Sequence, residues 1–349
     1  MFGIFKKKAP EVHMRKGIVV GEMREPAFAT LMELAKIDPD IAHFDQNNEF
    51  SDMRFSYHGV QVFAPLSLNV SPLCLRSEIP ECNITKAQTI AEKAFAYRAI
   101  DHICRTCRGV RAHFHPESGN LIVGVESAGF HDQFRADTLI DLALYMLEQG
   151  VMEARKYLGL DYHEVAPIRV DQWDGGYHYG EGISVFASAP DAASRFMQKK
   201  YKCDEVGNTN FSIELESGPV KYEILRFGYP NGYMVVTGTH GFRHAYRDDE
   251  KYVRIQERLA QDIQKDDDYD RKNNLKWNFR SMNHSTIAYF QEDGTFVLGE
   301  FGFANPRTDD NGKAFEGVIG DATLDIKYMT ILAAELPEDL YSDEANRPN

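Results

Sequence analysis

One six-residue pattern occurs twice in this chain and limits what the rest of it can fold into. Gly119-Asn120-Leu121-Ile122-Val123-Gly124 and Gly294-Thr295-Phe296-Val297-Leu298-Gly299 both read glycine, any residue, three apolar residues, glycine. A β-like run precedes each across a polar turn: residues 109–115 with Pro116-Glu117-Ser118, and residues 285–290 with Gln291-Glu292-Asp293. The spacing predicts two β-hairpins. A repeated supersecondary unit constrains a fold more tightly than any single propensity.

The flanks repeat in the same order. Upstream of the first hairpin, residues 84–103 predict a helix with Ile90, Ala94, Tyr97, Ile100 and Cys104 on one face; upstream of the second, residues 249–265 do so with Tyr252, Ile255, Leu259 and Ile263. Downstream, residues 134–158 carry Leu139, Leu142, Ala143, Met146 and Leu147 at helical spacing, and residues 318–336 carry Ala322, Ile326, Met329 and Leu332. Strand-like runs precede each first helix. In one half, residues 53–65 bend at Gly59 and 66–75 continue the meander. In the other, runs 211–215, 220–227 and 233–239 are punctuated by Gly218-Pro219 and Pro230-Asn231-Gly232. Short helices over 25–35 and 191–201 open the two series, with Pro26 and Asp191 as starters.

The expected fold class is therefore α+β: two tandem αβββαββα repeats, each an antiparallel sheet with helices packed on one face, able to pair as an intramolecular pseudo-dimer. The expected division is an N-terminal tail (1–24), a first repeat (25–159), a Gly- and aromatic-rich connector (160–189), a second repeat (190–336) and an acidic C-terminal tail (337–349). The connector holds Asp171-Gln172-Trp173-Asp174-Gly175-Gly176-Tyr177-His178-Tyr179 and is longer than an ordinary connection, as functional loops and covering hairpins are.

Charge and cysteine usage bear on function. Lys and Arg number 39 against 53 for Asp and Glu, a net charge of -14. Such a surface repels phosphate backbones, and the sequence contains no basic patch, so no nucleic-acid partner is expected. No run approaches the roughly 18 apolar residues of a membrane helix. The first eight residues place an apolar tip before Lys6-Lys7-Lys8, the reverse of a signal peptide. Five cysteines without an export signal predict reduced thiols in a cytoplasmic protein.

Candidate chemistry is sparse. Cys104-Arg105-Thr106-Cys107 is a CxxC, followed by His113-Phe114-His115. Thiolates and imidazoles are zinc ligands, yet the CxxC closes a helix, where the dipole raises a thiol pKa, and no second pair completes a finger. Two residues apart on a strand, His113 and His115 share a face and suit a polar stripe as well as a metal. His240, His244, Arg243 and Arg247 sit between strand and helix, where Asp248 or Asp249 is expected to cap the helix that follows. The acidic run at Asp266-Asp267-Asp268 lacks the ligand pattern of a calcium loop. No nucleophile elbow, Walker loop, dinucleotide fingerprint or HExxH is present. No cofactor and no catalytic residue is assigned.

The duplicated αβββαββα order resembles the class I type III secretion chaperone fold and the related YbjN-type domains. The resemblance is one of topology over residues 25–336, without a diagnostic motif. It implies a non-enzymatic module, chaperone-like or immunity-like, that holds another protein, such as a secreted effector or toxin, along an apolar groove or at a sheet edge. Phe55, Tyr57 and Tyr222 on strands, and Trp173, Tyr177 and Tyr179 in the connector, are the candidate contact residues. The chain is expected to be a monomer with internal pseudo-symmetry or a homodimer. Two other readings are a metal-dependent enzyme using the His and Cys cluster, and a small-ligand sensor with its site between the repeats.

Overall fold

A computed structural model describes residues 50–67, 73–107, 109–127, 136–165, 210–215, 218–226, 232–239, 242–272 and 286–303. They form ten strands in two five-stranded sheets. The first sheet contains β1 (Phe50–Tyr57), β2 (Val60–Ser67), β3 (Leu73–Asn83), β4 (Arg111–Phe114) and β5 (Asn120–Ser127). The second contains β6 (Asn210–Leu215), β7 (Gly218–Arg226), β8 (Gly232–Thr239), β9 (Thr286–Phe290) and β10 (Phe296–Phe303). Every pairing is antiparallel. The strand orders are β1-β2-β3-β5-β4 and β6-β7-β8-β10-β9, so each sheet runs first, second, third, fifth, fourth.

Among the described residues four α-helices accompany the sheets: α1 (Ile90–Thr106), α2 (Ala136–Tyr157), the short α3 (Arg243–Arg247) and α4 (Asp249–Lys272). The expected helix over 84–103 is broken in two. Asn83 caps a single 3-10 turn, Ile84–Lys86, by accepting from Thr85 and Lys86 N–H. The α-helix starts afresh where Thr89 and Glu92 form a reciprocal capping box, a signal worth about 1 kcal/mol. Ile90, read above as the first residue of the buried stripe, consequently lies on the outer first turn and is 44% exposed, whereas Ala94, Tyr97, Ile100 and Cys104 are buried. The run 53–65 is a hairpin rather than one bent strand: His58 and Gly59 take φ of +48 and +80, as a two-residue turn matched to strand twist requires. Gly218-Pro219 opens β7 instead of turning the chain. Among the described residues β8 pairs with β7 only over Glu223–Arg226, so Pro219 sits where the one neighbour of β7 is β6. Helix α4 runs beyond 265 to Lys272 through the acidic run, and Asp248 caps its first turn by accepting from Glu250 and Lys251 N–H.

The two matching sequence patterns form the same kind of turn. Gly119 and Gly294 both have left-handed φ, +72 and +84, at the hairpin that joins the fourth and fifth strands. The first loop closes with His115 N–H on Asn120 O, the second with Gln291 N–H on Thr295 O, one residue shorter. At Gly294 a Cβ would lie 2.9 Å from Arg243 Cα, and at Gly119 2.5 Å from Thr85 Cγ2. Glycine is demanded twice over, by φ and by the element packed on the turn.

In the first sheet, Leu75, Ser77 and Ile79 of β3 register with Val125, Val123 and Leu121 of β5, and all six are buried. They share the face covered by helices: α2 packs on β3 and β5, α1 on β4. Ala143, Leu144, Leu147 and Val151 of α2 complete this core. In the second unit an aromatic cluster, Phe242, Tyr246, Tyr252, Phe290 and Phe296, joins α3, α4 and the β9–β10 hairpin.

Candidate functional site

The most developed polar arrangement among the described residues lies where the two units meet. Helix α1 packs against α4 and β9; strands β4 and β9 touch, as do β5 and β10. Arg98, Asp101 and Arg105 follow at spacings of three and four, so they lie along one side of α1, and Lys93 stands near its start. Each bonds to the second unit. Lys93 Nζ donates to Glu257 Oε1 at 2.6 Å. Arg98 Nη2 donates to Asp249 Oδ1 at 2.6 Å and to Tyr246 O at 3.3 Å, with its guanidinium 5.1 Å from the centre of the Tyr252 ring. Arg105 donates to Phe290 O at 3.4 Å and pairs with Glu292.

Asp101 is the buried centre of this row, 1% exposed. Its Oδ2 accepts from Tyr252 Oη at 2.5 Å and its Oδ1 from Phe290 N–H at 3.0 Å. Gln256 Nε2 donates to the same Tyr252 oxygen at 3.2 Å. One carboxyl of α1 thereby holds a side chain of α4 and the backbone of β9. Burial pushes the Asp101 carboxyl up to about 7; Tyr252, the Phe290 amide, Arg105 and Arg98 pull the other way without cancelling it. Tyr252, fully buried beside that carboxylate, is held well above the ordinary phenol range by desolvation and by the Asp101 charge.

The residues singled out by sequence fall in separate places. Cys104 is in the last turn of α1 and Cys107 is its C-cap. Burial pushes both thiols up to about 12. Cys104 reaches the backbone of Ala112, which registers with Val123 on the helix-covered face. His113 is next along β4 and registers with Ile122, so it points to the opposite face. The CxxC and His113 are therefore divided by the sheet. His113 Nδ1 is buried with no hydrogen-bond partner among the described residues, and burial, with Arg111 and Arg76, holds the ring well below the usual imidazole pKa. His115 accepts from Glu117 and Ser118 N–H and shapes the β4–β5 turn. Among the described residues no group of three or more His, Cys, Asp and Glu is arranged to hold a metal ion.

His244 is exposed in α3 and Arg243 pairs with Asp293; His240 lies outside the described residues. Of the candidate contact residues, Phe55 and Tyr57 are on β1, a terminal strand of the first sheet, registered opposite Val62 and Val60. Tyr57 stacks on His58. Tyr222 is on β7, opposite Phe211 of the terminal strand β6. Trp173, Tyr177 and Tyr179 lie outside the described residues.

Two further features escaped the sequence reading. Glu148 of α2, 5% exposed, accepts from His58 Nδ1 at 3.0 Å on one oxygen and from His163 Nε2 at 2.8 Å on the other. On the outer side of α1 and α2, Phe95 stacks on Tyr157 and Tyr157 on His102, and Phe95 remains 48% exposed. Neither has a compositional signature, because each assembles from residues far apart in sequence. No helix among the described residues is long and apolar enough to cross a membrane. No family model, no curated protein and no solved structure matches the chain.

Proposed function

We propose that the chain is a non-enzymatic protein-binding module: two tandem αβββαββα repeats, similar to class I type III secretion chaperones and YbjN-type domains, paired as an internal pseudo-dimer that holds a partner polypeptide. One observation carries this reading. Three of the contacts between the units join elements of the same rank: α1 with α4, each the helix between third and fourth strands; β4 with β9; β5 with β10. Like-with-like contact is the mark of a two-fold interface, here within one chain. Equal strand order and equal turn glycines support it. The buried, fully protonated thiols and their separation from His113 favour binding over a metal-dependent reaction.

The seam uses the β4 and β9 ends of the sheets, which among the described residues leaves β1 and β6 as the outer strands for a partner strand to join. Phe95 and Ile90, exposed on α1, offer apolar contacts beside the seam. The test has two parts. Light scattering on the purified chain at micromolar concentration gives a monomer mass. A polypeptide captured near stoichiometry from lysate of the native cells, then purified, rebinds this chain, and Phe95→Ala with Ile90→Ser weakens it at least tenfold. A captured protein that fails to rebind when pure, or full affinity in the double variant together with full affinity after a proline is placed in β1, overturns the proposal.

A further inference from the structure

We propose that the seam between the two units is a proton-operated latch, with neutral Asp101 holding α1 against α4 and β9 and ionised Asp101 loosening them. The geometry sets the sign. Both Asp101 oxygens are spent on the second unit, one on Tyr252 Oη and one on Phe290 N–H, so the group cannot be rehydrated while the units are docked. Neither neighbouring cation serves as its direct counter-ion in these bonds. Arg98 is committed to Asp249 and Tyr246 O, Arg105 to Phe290 O and Glu292. Among the described residues an ionised carboxylate in this position keeps two neutral donors, and the nearby Arg105 and Arg98 charges do not offset the cost of a site that is 1% exposed, an expensive setting for a charge. Proton uptake removes the charge and keeps the contacts, because the Asp101–Tyr252 pair can exchange donor and acceptor roles while Phe290 N–H still finds an oxygen.

The groups facing Asp101 come from every element around it. Arg98, Arg105 and Cys104 belong to α1; Tyr252, Gln256 and Asp249 to α4; Tyr246 to α3; the Phe290 amide to β9, with Glu292 after it; Tyr157 to α2. Four of these, Arg98, Arg105, Asp249 and Glu292, carry charge at the rim and are part-exposed or exposed, so water screens them. The other ion pair of the seam, Lys93 with Glu257, is a rim pair too. Among the described residues, with Tyr252 held well above the ordinary phenol range, the buried carboxyl is the group whose ionisation changes the interior of the interface near neutral pH.

The carboxyl is raised from 3.8 to about 7 when docked. A group raised on docking holds the units together fully below its free value, and that contribution is lost as pH rises toward the docked value. Between pH 5 and pH 8 the opening equilibrium therefore grows on the order of a hundredfold.

Hydrogen exchange of the full chain, corrected for the intrinsic rate, reads this directly. In the wild type, protection of the Phe290 amide and of the α4 amides around Tyr252 falls by that factor from pH 5 to pH 8, while protection of the β3–β5 ladder changes less. Asp101→Asn, which keeps an acceptor and removes the proton, gives the same protection at both pH values. A wild type with a flat profile, or an Asp101→Asn variant that retains the wild-type slope, overturns the latch. Should Asp101→Asn not fold, the carbon-13 shift of the Asp101 carboxyl in the wild type decides: a midpoint below pH 5 refutes the proposal, one near neutrality supports it.

Discussion

Removing one oxygen atom from the seam tests the account of Asp101 without creating a cavity. Tyr252 is fully buried, so Tyr252→Phe keeps the ring contacts with Phe290 and Tyr246 and deletes only the hydroxyl. At pH 5, where Asp101 carries its proton, the change removes a hydrogen bond between neutral groups and takes from Gln256 Nε2 its Tyr252 acceptor, about 1–2 kcal/mol. At pH 8 the carboxylate is ionised and loses one of its two donors. Hydrogen bonds to charged groups are worth about 1.5–3 kcal/mol, so the deficit grows to about 3 kcal/mol. The sign follows from linkage. Tyr252 lowers the Asp101 pKa, so its loss moves the folded value still further above the unfolded 3.8, and more stability disappears as pH rises. Urea unfolding by linear extrapolation at both pH values measures this, with Asp101→Asn as background. In that background the Tyr252→Phe cost should be the same at pH 5 and pH 8. A deficit in the single variant that does not depend on pH, or one below about 0.5 kcal/mol throughout, which is the size of an ordinary surface effect, refutes the reasoning.

Other positions give sharper local tests. Gly294→Ala should cost about 2 kcal/mol or more in urea melts, since left-handed φ alone costs roughly 1–2 kcal/mol and the added Cβ meets the Arg243 backbone. Gly119→Ala should cost less, because the new atom meets side-chain atoms, Thr85 Cγ2 at 2.5 Å and Asn83 Oδ1 at 3.0 Å, rather than backbone; equal or reversed costs would contradict the packing described. With Cys104 and Cys107 pushed up to about 12, native-state alkylation at pH 8 should run about a thousandfold slower than that of an ordinary thiol, and fast labelling at either cysteine would show an opened α1 end. Thr89→Ala should lower stability by about 1 kcal/mol through loss of the capping box, and an unchanged melting curve would show that the 3-10 turn before it sets the helix start instead.

Much of the architecture was legible because it rests on local rules. Period-two apolar runs ending at a glycine that must take left-handed φ mark hairpins, and both instances of the pattern became one. The helix faces of Tyr97, Ile100 and Cys104, and of Tyr252 and Ile255, are buried as their spacing demanded. Errors came where two local signals competed. Asn83 and Thr89 each start a helical turn, so the stretch from Ile84 split, and Ile90 moved out of the core. Gly218-Pro219 has the composition of a turn, but a strand with one neighbour at that point tolerates proline. The seam was illegible for a different reason. Arg98, Asp101 and Arg105 look like a solvated helix face, and nothing nearby contradicts that reading. Their burial depends on Tyr252 and Phe290, 151 and 189 positions from Asp101. Spacing along the chain also does not show that Cys104 and His113, nine positions apart, are divided by a sheet, since the helix ends on one face and the imidazole points to the other.

The seam also departs from symmetry where its chemistry is concentrated. Contacts between elements of the same rank occur for α1 with α4, β4 with β9 and β5 with β10, but α1 also packs on β9, and among the described residues α4 makes no comparable contact with β4. That excess contact is where Phe290 N–H meets Asp101 and Phe290 O meets Arg105. Two identical chains around a two-fold would repeat such a node at both ends of the interface, and two buried carboxylates would double its pH dependence. A single chain carrying both units is free to keep one node and to replace its mate with apolar packing. On the duplicated reading proposed above, the linked chain thus gains what a homodimer cannot have: an interface strong through symmetric burial yet titrated at one end by a single proton.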